Sequence, residues 1–503
     1  MRLPSLLGHT AQLVRLIWQS PRPADLLASE YFRAKKYIGA HDRRFISQVA
    51  FATLRGYSAF SYCAKEALHD IAHAVKHVET ERERKQHNAT DPKEKEKDVP
   101  LEELAIVATC CIMGNAAGVG NINEALEELL GADSTDIEER ILVIGINFAK
   151  HAGLAAETGV LFARSAAEYW TMLEDEVNTL LEHESPDEAA EELLAVRFCV
   201  PQWMFHALDR DWFTTIEIAA SLLAPAPLCL RVNTLATTRE ALLAAFREQA
   251  VPAHAGKLSP DCIVIDKRVN LTQTPLYRDG LIEIQDEASQ LTAYALSPEP
   301  SWHILDACAG AGGKSLHIAT LQRGKGEILA SDTEYERLKE LPFRAKRAGI
   351  SSIKTLTIDA ASEHALPSKL SHLKASFDAV LVDAPCSGLG TARRSPMLKW
   401  RATPESIAKH AQKQLFLLSA FSHAVKPGGV LLYATCSLMP QENEHVVAQF
   451  LAEHAEFYTE PLAPTLNAQG VTLPGLSADA AMVTLLPSTH GTDGFFLARL
   501  RRR

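Results

Sequence analysis

The spacing of apolar residues divides the chain into regions with different predicted secondary structure. From the start to about residue 185, apolar positions recur at helical spacing, Gly and Pro are sparse, and Leu and Ala are abundant. Between about residues 201 and 300, the short β-rich runs LCLRVNTL, CIVID and GLIEIQ are separated by a helical stretch, TTREALLAAFREQ. This pattern predicts a helical region followed by a small α+β module.

A regular alternation of strands and helices begins near Trp302. Five apolar runs, WHILDACAG, GEILASD, IKTLTID, FDAVLVDAP and GGVLLYATCS, are each followed by a helical segment, which is typical of a parallel doubly wound sheet. The tail AMVTLLPSTHGTDGFFLARL predicts two further strands that form an antiparallel hairpin at the sheet edge. We therefore expect an α/β domain with a mostly parallel, seven-stranded sheet.

The composition is that of an ordinary globular protein. The chain has 503 residues, of which 47% are hydrophobic and 22% charged. Its nine cysteines include no Cys-x-x-Cys pair, which favours a reducing, cytoplasmic location and argues against a zinc or other metal site. No apolar run reaches the roughly 20 residues that a membrane-spanning helix needs. The N-terminal segment MRLPSLLGHTAQLVRLIWQS is expected to form an amphipathic helix rather than a signal peptide.

Charge is distributed unevenly along the chain. The net charge of −11 argues against a uniformly basic, nucleic-acid-binding protein. Basic residues nevertheless collect on either side of an acidic middle region. The early cluster contains Arg33, Lys35, Lys36, Arg43, Arg44 and Arg55, and the late cluster contains Arg337, Arg344, Lys346, Arg347, Arg393, Arg394, Lys399 and Arg401. Each cluster is either a basic surface for a nucleic acid or a solvated helix face. Between them, TERERKQHNATDPKEKEKDVP is almost free of apolar residues and is expected to be a mobile loop at about residues 79–100.

The stretch DACAGAGGKS, residues 306–315, is a glycine-rich turn after a predicted strand. A Walker loop would need glycine where Cys308 stands. A dinucleotide fingerprint would need a small residue near Lys314, Ser315 or Leu316 to close the helix onto the strand. Both of these phosphate-binding motifs are therefore excluded, and a loop for another adenosine-bearing cofactor remains.

Polar or reactive residues end each of the five predicted strands. They are Asp306 and Cys308, Asp332, Asp359, Asp383 and Cys386, and Thr435 and Cys436. A single Asp at a strand end is often a turn former, but the carboxyl ends of strands in an open α/β sheet face one ligand crevice. Asp332 is placed to bind ribose hydroxyls, Asp359 to accept the exocyclic amine of an adenine, and Lys314 to offer a cation. An adenosine that carries an amino acid fits this set best, so S-adenosylmethionine is the predicted cofactor.

Two cysteines follow neighbouring predicted strands. Cys386 lies in DAPCSG and Cys436 in ATCS, so both are expected to face the same cavity. Most cysteines are buried small hydrophobes, but these two occupy loops at strand ends. A thiolate in this position could add to an electron-poor ring and make an unreactive carbon of a pyrimidine nucleophilic.

These motifs together resemble the Sun/RsmB family of RNA cytosine-C5 methyltransferases. The resemblance is carried by DACAGAGGKS, DAPCSG with LGTARRSPMLKW, YATCSLMPQENEHVV and DGFFLARL. Upstream, DRRFISQVAFATLRGY is similar to the family's NusB-like helical domain, and LRVNTL and IEIQDEASQL are similar to its middle RNA-binding segment. In this family the glycine loop usually reads CAAPGGK. Here Gly310 and Ala311 replace Ala-Pro, which removes a fixed φ and could weaken cofactor affinity.

The resemblance implies a domain order and roles for particular residues. We expect a helical NusB-like domain at 1–160, an acidic helical connector at 161–200, an α+β RNA-binding module at 201–300 and a Rossmann-like class I methyltransferase domain at 301–503. Cys436 would attack C6 of the cytosine, Cys386 would assist release, Asp383 would orient the cofactor and the base, and Lys314 would support the same pocket. The expected cofactor-binding residues are Cys308, Ala309, Gly310, Ala311, Gly312, Gly313, Lys314, Asp332, Asp359 and Asp383. The expected RNA-binding residues are Arg33, Arg43, Arg44, Arg393, Arg394 and Lys399.

The resemblance also implies structured RNA, ribosomal in the first instance, as the substrate of a monomeric enzyme. One alternative is a non-catalytic RNA-binding assembly factor that keeps the cofactor pocket. A small-molecule methyltransferase is disfavoured because it would leave two additional domains without a task. An amino-group methyltransferase would need an Asp/Asn-Pro-Pro-aromatic loop where Ala384, Pro385 and Cys386 stand.

Overall fold

The computed structural model describes residues 1–72, 75–76, 99–113, 116–119, 122, 125–126, 137–181, 187–266, 269–358 and 373–503. These residues form two compact units. The first comprises Met1–Pro225 with Ala392–Arg401, and the second comprises Ala226–Thr391 with Ala402–Arg503. The predicted loop at 79–100 lies outside the described residues except at its last two positions.

The first unit is helical in its described part. Its helices are α1 (Leu3–Gln19), α2 (Ala24–Ala34), α3 (Ala40–Arg55), α4 (Tyr57–Asp70), α5 (Leu101–Met113), α6 (Ile137–Ala152), α7 (Ala156–Leu181), α8 (Glu188–Phe198), α9 (Trp203–Ala207), α10 (Trp212–Ser221) and α17 (Met397–Arg401). Aromatic side chains fill much of the interior, where the rings of Phe148 and Phe162 stack at 4.4 Å. Apolar residues at helical spacing, such as Leu6, Leu13 and Ile17 of α1, are fully buried.

Residues 161–181 and 187–200, which belong to the predicted acidic connector, contribute to this helical interior. Helix α7 buries Phe162, Trp170 and Leu173 and carries its acidic residues on other faces. Helices α8, α9 and α10 follow before the chain enters the second unit at Ala226. Divided by contacts, the helical unit extends to Pro225.

The second unit opens with a small antiparallel sheet. Its strands are β1 (Leu228–Val232), β2 (Ala253–Ala255), β3 (Cys262–Ile265) and β4 (Ile282–Ile284), in the order β2-β3-β1-β4. Helix α11 (Arg239–Glu248) is capped by Thr238, whose hydroxyl accepts the N–H of Ala241 at 3.2 Å. The core of this module contains Leu230, Ile263 and Phe246.

The large sheet of the second unit has the predicted α/β character. Its strands are β5 (His303–Asp306), β6 (Glu327–Asp332), β7 (Ile353–Thr357), β8 (Phe377–Asp383), β9 (Val425–Thr435), β10 (Phe457–Thr459), β11 (Met482–Leu485) and β12 (Phe495–Arg502). The order is β10-β12-β9-β8-β5-β6-β7, and β11 also pairs with β12. Strands β5 to β9 are parallel, whereas β12 is antiparallel to β9, β10 and β11. In the described part of the chain the sheet has eight strands rather than the predicted seven, because β10, only three residues long, is too short to show an alternating pattern.

Helices cover both faces of this sheet. Beyond α11, the helices of the second unit are α12 (Pro275–Arg278), which lies beside β4 in the small module, α13 (Glu287–Leu296), α14 (Gly313–Leu321), α15 (Tyr335–Leu338), α16 (Leu341–Arg347), α18 (Pro404–Ser422), α19 (Glu444–Glu453), α20 (Leu462–Asn467) and α21 (Pro487–His490). Successive strand residues belong to different core clusters: Ile304 and Leu381 to one, Leu305 and Val380 to the other. Burial on both faces explains the nearly continuous apolar runs of the strands. Among the described residues, no helix is long and apolar enough to cross a membrane.

Candidate active site

The polar ends of the parallel strands meet where the strand order reverses. The chain runs outward from β5 through β6 to β7 and then returns to β8 on the other side of β5. Such a switch point opens a crevice at the carboxyl ends of the strands. Asp306, Asp332 and Asp383 end β5, β6 and β8, as the sequence predicted. Asp359, expected after β7, lies outside the described residues.

The glycine loop connects β5 to α14 and requires glycine at two positions. Gly310 and Gly312 have φ values of 53° and 81°, in the left-handed region that side chains disfavour. A Cβ atom at Gly312 would also lie 2.1 Å from the Leu341 side chain. The N–H of Gly310 donates to Asp332 Oδ2 at 2.7 Å, and the N–H of Ala309 donates to Ser331 O at 2.9 Å. The loop is therefore held against the end of β6.

Two arginines hold the carbonyl side of the same loop. Arg344 Nη1 donates to Ala311 O at 2.6 Å, and Arg231 Nη1 donates to Gly313 O at 2.6 Å. Arg344 also pairs with the buried carboxylate of Glu283 at 2.8 Å, which Arg347 contacts as well. Burial lowers the pKa of Arg231 to about 10, while nearby Glu283 favours its charge. These cations order the loop, which contains no proline.

Sequence reasoning missed this arrangement. It assigned Arg344 and Arg347 to a basic surface cluster and did not single out Arg231 or Glu283. Glu283 stands in β4, about sixty residues from its partners along the chain. No local spacing could have revealed the contact, although an acid inside the apolar run GLIEIQ was an available signal.

The described residues fit an adenosine-bearing cofactor. Each carboxylate oxygen of Asp332 accepts one N–H, from Gly310 at 2.7 Å and from Glu334 at 2.8 Å. Because a carboxylate oxygen has two acceptor sites, Asp332 retains capacity for ribose hydroxyls. Asp306 accepts the Ser315 hydroxyl at 2.6 Å through Oδ2, while its buried Oδ1 has no protein partner. Burial raises the pKa of Asp306 to about 7.

Lys314 and Asp383 form an ion pair at the centre of the crevice. Their Nζ and Oδ2 atoms are 2.6 Å apart, and the ammonium group lies 5.0 Å from the centre of the Phe495 ring. Burial opposes the charge on Lys314, but Asp383 outweighs it and raises the lysine pKa. Lys314 therefore stays protonated at neutral pH and leaves one Asp383 oxygen for other donors.

The two predicted cysteines lie side by side. Their Sγ atoms are 3.3 Å apart, and both residues are half-buried. A hydrogen bond from the Cys386 thiol lowers the pKa of Cys436, and the same bond raises the pKa of Cys386 well above its ordinary value. Lys314 also favours the Cys436 thiolate. Of the pair, Cys436 is thus the better nucleophile and Cys386 the proton-bearing partner.

The closing DGFF motif supports the Cys386 loop. Gly390 donates its N–H to Cys436 O at 3.0 Å and accepts the N–H of Gly494 at 2.8 Å. A Cβ atom at Gly390 would lie 2.0 Å from Gly494 O, so the two backbones approach closely only because both residues are glycine. Cys308, also predicted in the site, is half-buried, and burial raises its thiol pKa well above the ordinary value. It is poorly suited to be a nucleophile.

The structure distributes the predicted RNA-binding residues over different environments. Arg33 and Arg44 are exposed on α2 and α3. Arg43 is half-buried and donates to Ile38 O at 2.8 Å, and Arg394 is also half-buried. Only the first two have the open surface position that a phosphate contact requires.

Arg393 and Lys399 are buried in the helical unit, which contradicts their predicted surface position. Arg393 Nη2 donates to Pro225 O at 2.9 Å. Lys399 is fully buried and donates to Arg55 O at 3.0 Å, at the C-terminal end of α3. The partial negative charge of helix carbonyls accommodates the ammonium group there. Neither cation is placed to meet a phosphate.

Comparison with known proteins places this architecture in a family. The model described as 16S rRNA methyltransferase RsmB/F matches residues 293–501, and an RsmF/B-like ferredoxin-like domain matches residues 200–272. A "probable ribosomal RNA small subunit methyltransferase B" of Synechocystis is 35% identical over 312 residues, which cover 61% of this chain and 68% of the relative. This chain belongs to the RsmB/F family of rRNA methyltransferases. The predicted family and α/β methyltransferase fold are confirmed.

Other relatives of the RsmB/F methyltransferase agree with this assignment. Ribosomal RNA small subunit methyltransferase B of Pasteurella multocida is 32% identical over 302 residues, covering 60% of this chain and 65% of that protein. A methyltransferase homologue from Pyrococcus horikoshii is 28% identical and covers 63% of this chain and 100% of its own, with a TM-score of 0.51. The crystal structure of PH0851 shares the fold at 24% identity, with a TM-score of 0.67 and coverage of 100% and 99%. S-adenosylmethionine is the methyl donor of the family, as predicted.

Proposed function

We propose that this protein methylates C5 of a cytosine in small-subunit ribosomal RNA, with Cys436 as the nucleophile. The observation that carries the proposal is the pair of sulfur atoms 3.3 Å apart in loops after neighbouring strands. A cytosine carbon is a poor nucleophile unless the ring is first activated by addition at C6. A half-buried thiol of lowered pKa beside a methyl-donor crevice supplies that addition.

The proposed reaction begins with attack of the Cys436 sulfur on C6 of a cytosine held out of its stack. The new S–C6 bond pushes the ring electrons toward C5, which becomes an enamine carbon. C5 would accept the methyl group of S-adenosylmethionine, with cleavage of the sulfonium S–CH₃ bond and departure of S-adenosylhomocysteine. Loss of the C5 proton to solvent then returns an electron pair to the C5–C6 bond, and the S–C6 bond breaks to release methylated RNA and free Cys436. Cys386 assists this release.

Asp383 and Lys314 support the same step. The Asp383 oxygen that is not bound to Lys314 can accept a hydrogen bond from the cytosine amino group and orient the base. Charge that builds up on the ring during attack is stabilised by groups already ordered in the crevice. The ion pair keeps both side chains in place before RNA arrives.

For RNA binding, the exposed Arg33 and Arg44 are the residues that we propose to contact phosphates. Phosphate contacts release counterions, so affinity for RNA should fall steeply as salt rises. Arg43, Arg393, Arg394 and Lys399 are not part of this proposal because the structure buries or half-buries them.

The test compares two cysteine variants on unmethylated 16S rRNA. Cys436→Ala should abolish methyl transfer, whereas Cys386→Ala should accumulate a covalent protein–RNA adduct that survives denaturing electrophoresis. Bisulfite sequencing would then locate the methylated cytosine. Normal methylation by Cys436→Ala would overturn the mechanism, and methylation of a base other than cytosine would overturn the specificity.

A further inference from the structure

Glu442 lies buried next to both cysteine loops. It ends a short 3₁₀ turn, Pro440–Glu442, just after the Thr-Cys-Ser sequence, and its side chain is fully buried. A buried carboxyl group is costly unless hydrogen-bond donors satisfy its oxygens. The identity of those donors therefore shows what the side chain holds together.

Four hydrogen bonds converge on its two carboxyl oxygens. Oε1 accepts the backbone N–H of Ser387 at 2.8 Å and the side-chain amide of Gln414 at 3.1 Å. Oε2 accepts the Ser387 hydroxyl at 2.5 Å and also the hydroxyl of Ser437. The two serine oxygens are themselves 3.2 Å apart. One side chain thus joins two loops that are far apart along the chain.

The two serines are the residues that directly follow the cysteines. Ser387 follows Cys386 in the loop after β8, and Ser437 follows Cys436 in the loop after β9. A displacement of either serine would therefore move the adjoining sulfur. The Gln414 amide strengthens the arrangement because it also donates to the carbonyl of Pro385, at 3.0 Å, on the other side of Cys386.

We propose that Glu442 is a positioning residue that holds the Cys386 loop against the Cys436 loop, so that Cys386 can act on the adduct formed by Cys436. This inference rests on the two-cysteine mechanism proposed above. Cys436 can form the S–C6 bond without Cys386, whereas release requires the Cys386 sulfur to stay close to the Cys436 sulfur. Loss of Glu442 should therefore slow release much more than attack.

The Glu442→Gln variant keeps the side-chain shape but replaces one accepting oxygen with an NH₂ donor. That donor would face hydroxyl groups that now donate to Glu442. Losing hydrogen bonds to a charged acceptor slows a dependent step by about 10- to 100-fold. We expect release to slow by this order and attack to change by less than about threefold. Ser387→Ala, which keeps the carboxyl group but loses one of its donors, should show a smaller defect of the same kind.

Two RNA probes separate attack from release. With S-adenosylmethionine and an unmethylated 16S rRNA transcript that contains 5-fluorocytidine, the methylated C5 has no proton to lose, so the rate of adduct formation reports attack and methyl transfer without release. With the ordinary transcript and S-adenosylmethionine, the fraction of protein in the adduct reports release. Glu442→Gln should form adduct normally on the first probe and accumulate it on the second, as Cys386→Ala does. Adding Glu442→Gln to Cys386→Ala should slow release no further.

The control variant is Glu453→Gln. Glu453 is an exposed carboxylate on α19 that accepts a hydrogen bond from the Gln449 side chain, and its variant should behave as wild type. Binding of S-adenosylhomocysteine and the unfolding temperature confirm that each variant is folded. Should Glu442→Gln prevent folding, Ser387→Ala and Ser437→Ala make the same test. A variant that slows attack and release equally, or neither, overturns the role of Glu442. Methylation by Cys436→Ala would instead overturn the mechanism itself, so the two failures are distinguishable.

Discussion

The cofactor loop offers a prediction whose size follows from the structure. Arg344 donates to Ala311 O at 2.6 Å and pairs with Glu283 at 2.8 Å. The variant Arg344→Met keeps a long apolar stem on α16 but removes both contacts. The loop would then keep Arg231 on the Gly313 carbonyl and Asp332 on the Gly310 N–H.

The expected loss can be worked out from these contacts. A hydrogen bond to a charged group is worth about 1.5–3 kcal/mol. The Arg344 side chain is 19% exposed, so water can replace part of its contact with the carbonyl. We therefore expect about 1–2 kcal/mol less cofactor binding energy, a rise in Kd of roughly 5- to 30-fold. Glu283, only 5% exposed, keeps Arg347 as a partner, so the fold should weaken without collapsing.

Isothermal titration with S-adenosylhomocysteine measures this effect directly. Lys346→Met is the matched control because Lys346 is exposed on the same helix and its loss changes the net charge equally. The Kd of Arg344→Lys should lie between those of Arg344→Met and Lys346→Met. An ammonium group lacks the planar fork of a guanidinium group and cannot bind the carboxylate and the carbonyl in the same way. If Arg344→Met bound S-adenosylhomocysteine as tightly as wild type but unfolded at a lower temperature, Arg344 would stabilise the fold without contributing to cofactor binding.

Four further outcomes are expected. Cys386→Ala removes the donor that lowers the pKa of Cys436, so the pH at which adduct forms at half its maximal rate on 5-fluorocytidine RNA should rise toward the ordinary thiol value of about 8.5; an unchanged pH profile would contradict the assigned cause. Diamide should oxidise the two thiols to a disulfide, itself gaining two hydrogens, and abolish methylation by the wild-type protein until dithiothreitol is added; mass spectrometry should find this disulfide in neither Cys386→Ala nor Cys436→Ala. Burial lowers the pKa of Lys399 to about 8, whereas its value in the unfolded chain is about 10.4. Between these pH values the unfolded protein binds more protons than the folded protein, so the free energy of unfolding should rise with pH by up to about 3 kcal/mol. Chemical denaturation of Lys399→Met at several pH values should not show that rise. Arg33→Gln and Arg44→Gln should each reduce the slope of log affinity against log salt by about 1, and an unchanged slope would remove that residue from the RNA contact.

Much of the catalytic domain could be predicted from the sequence because its signals are local. Each parallel strand is an apolar run that ends in an acid or a cysteine, and that order alone brings Asp306, Asp332 and Asp383 to one edge of the sheet. The same order pairs Cys386 with Cys436, because neighbouring strands place their loops together. Their separation of 3.3 Å needed the structure.

The errors concern contacts between distant parts of the chain. Arg393 and Lys399 belong to a basic segment that suggested an exposed surface, yet residues 392–401 lie within the helical unit. Backbone carbonyls from Pro225 and Arg55, distant in sequence, receive these two cations. The composition of a segment gives the number of its charged side chains, but it does not show which of them will donate hydrogen bonds to distant backbone carbonyls. For the same reason the role of Glu442 could not be predicted, because in the sequence it is only one of several polar residues before a predicted helix.

The conformation of the cofactor loop can be restricted either by a proline within it or by contacts from other parts of the chain. A proline restricts φ through its own ring, so its effect is local and present even in the unfolded chain. In this protein Gly310 and Ala311 occupy that part of the loop, and order comes instead from Arg231, Arg344 and Asp332, which belong to other elements. Order of this kind exists only once the α+β module and the large sheet have folded together. Cofactor affinity should therefore depend on residues of the module, β1 and β4 included, as strongly as on the glycine loop itself.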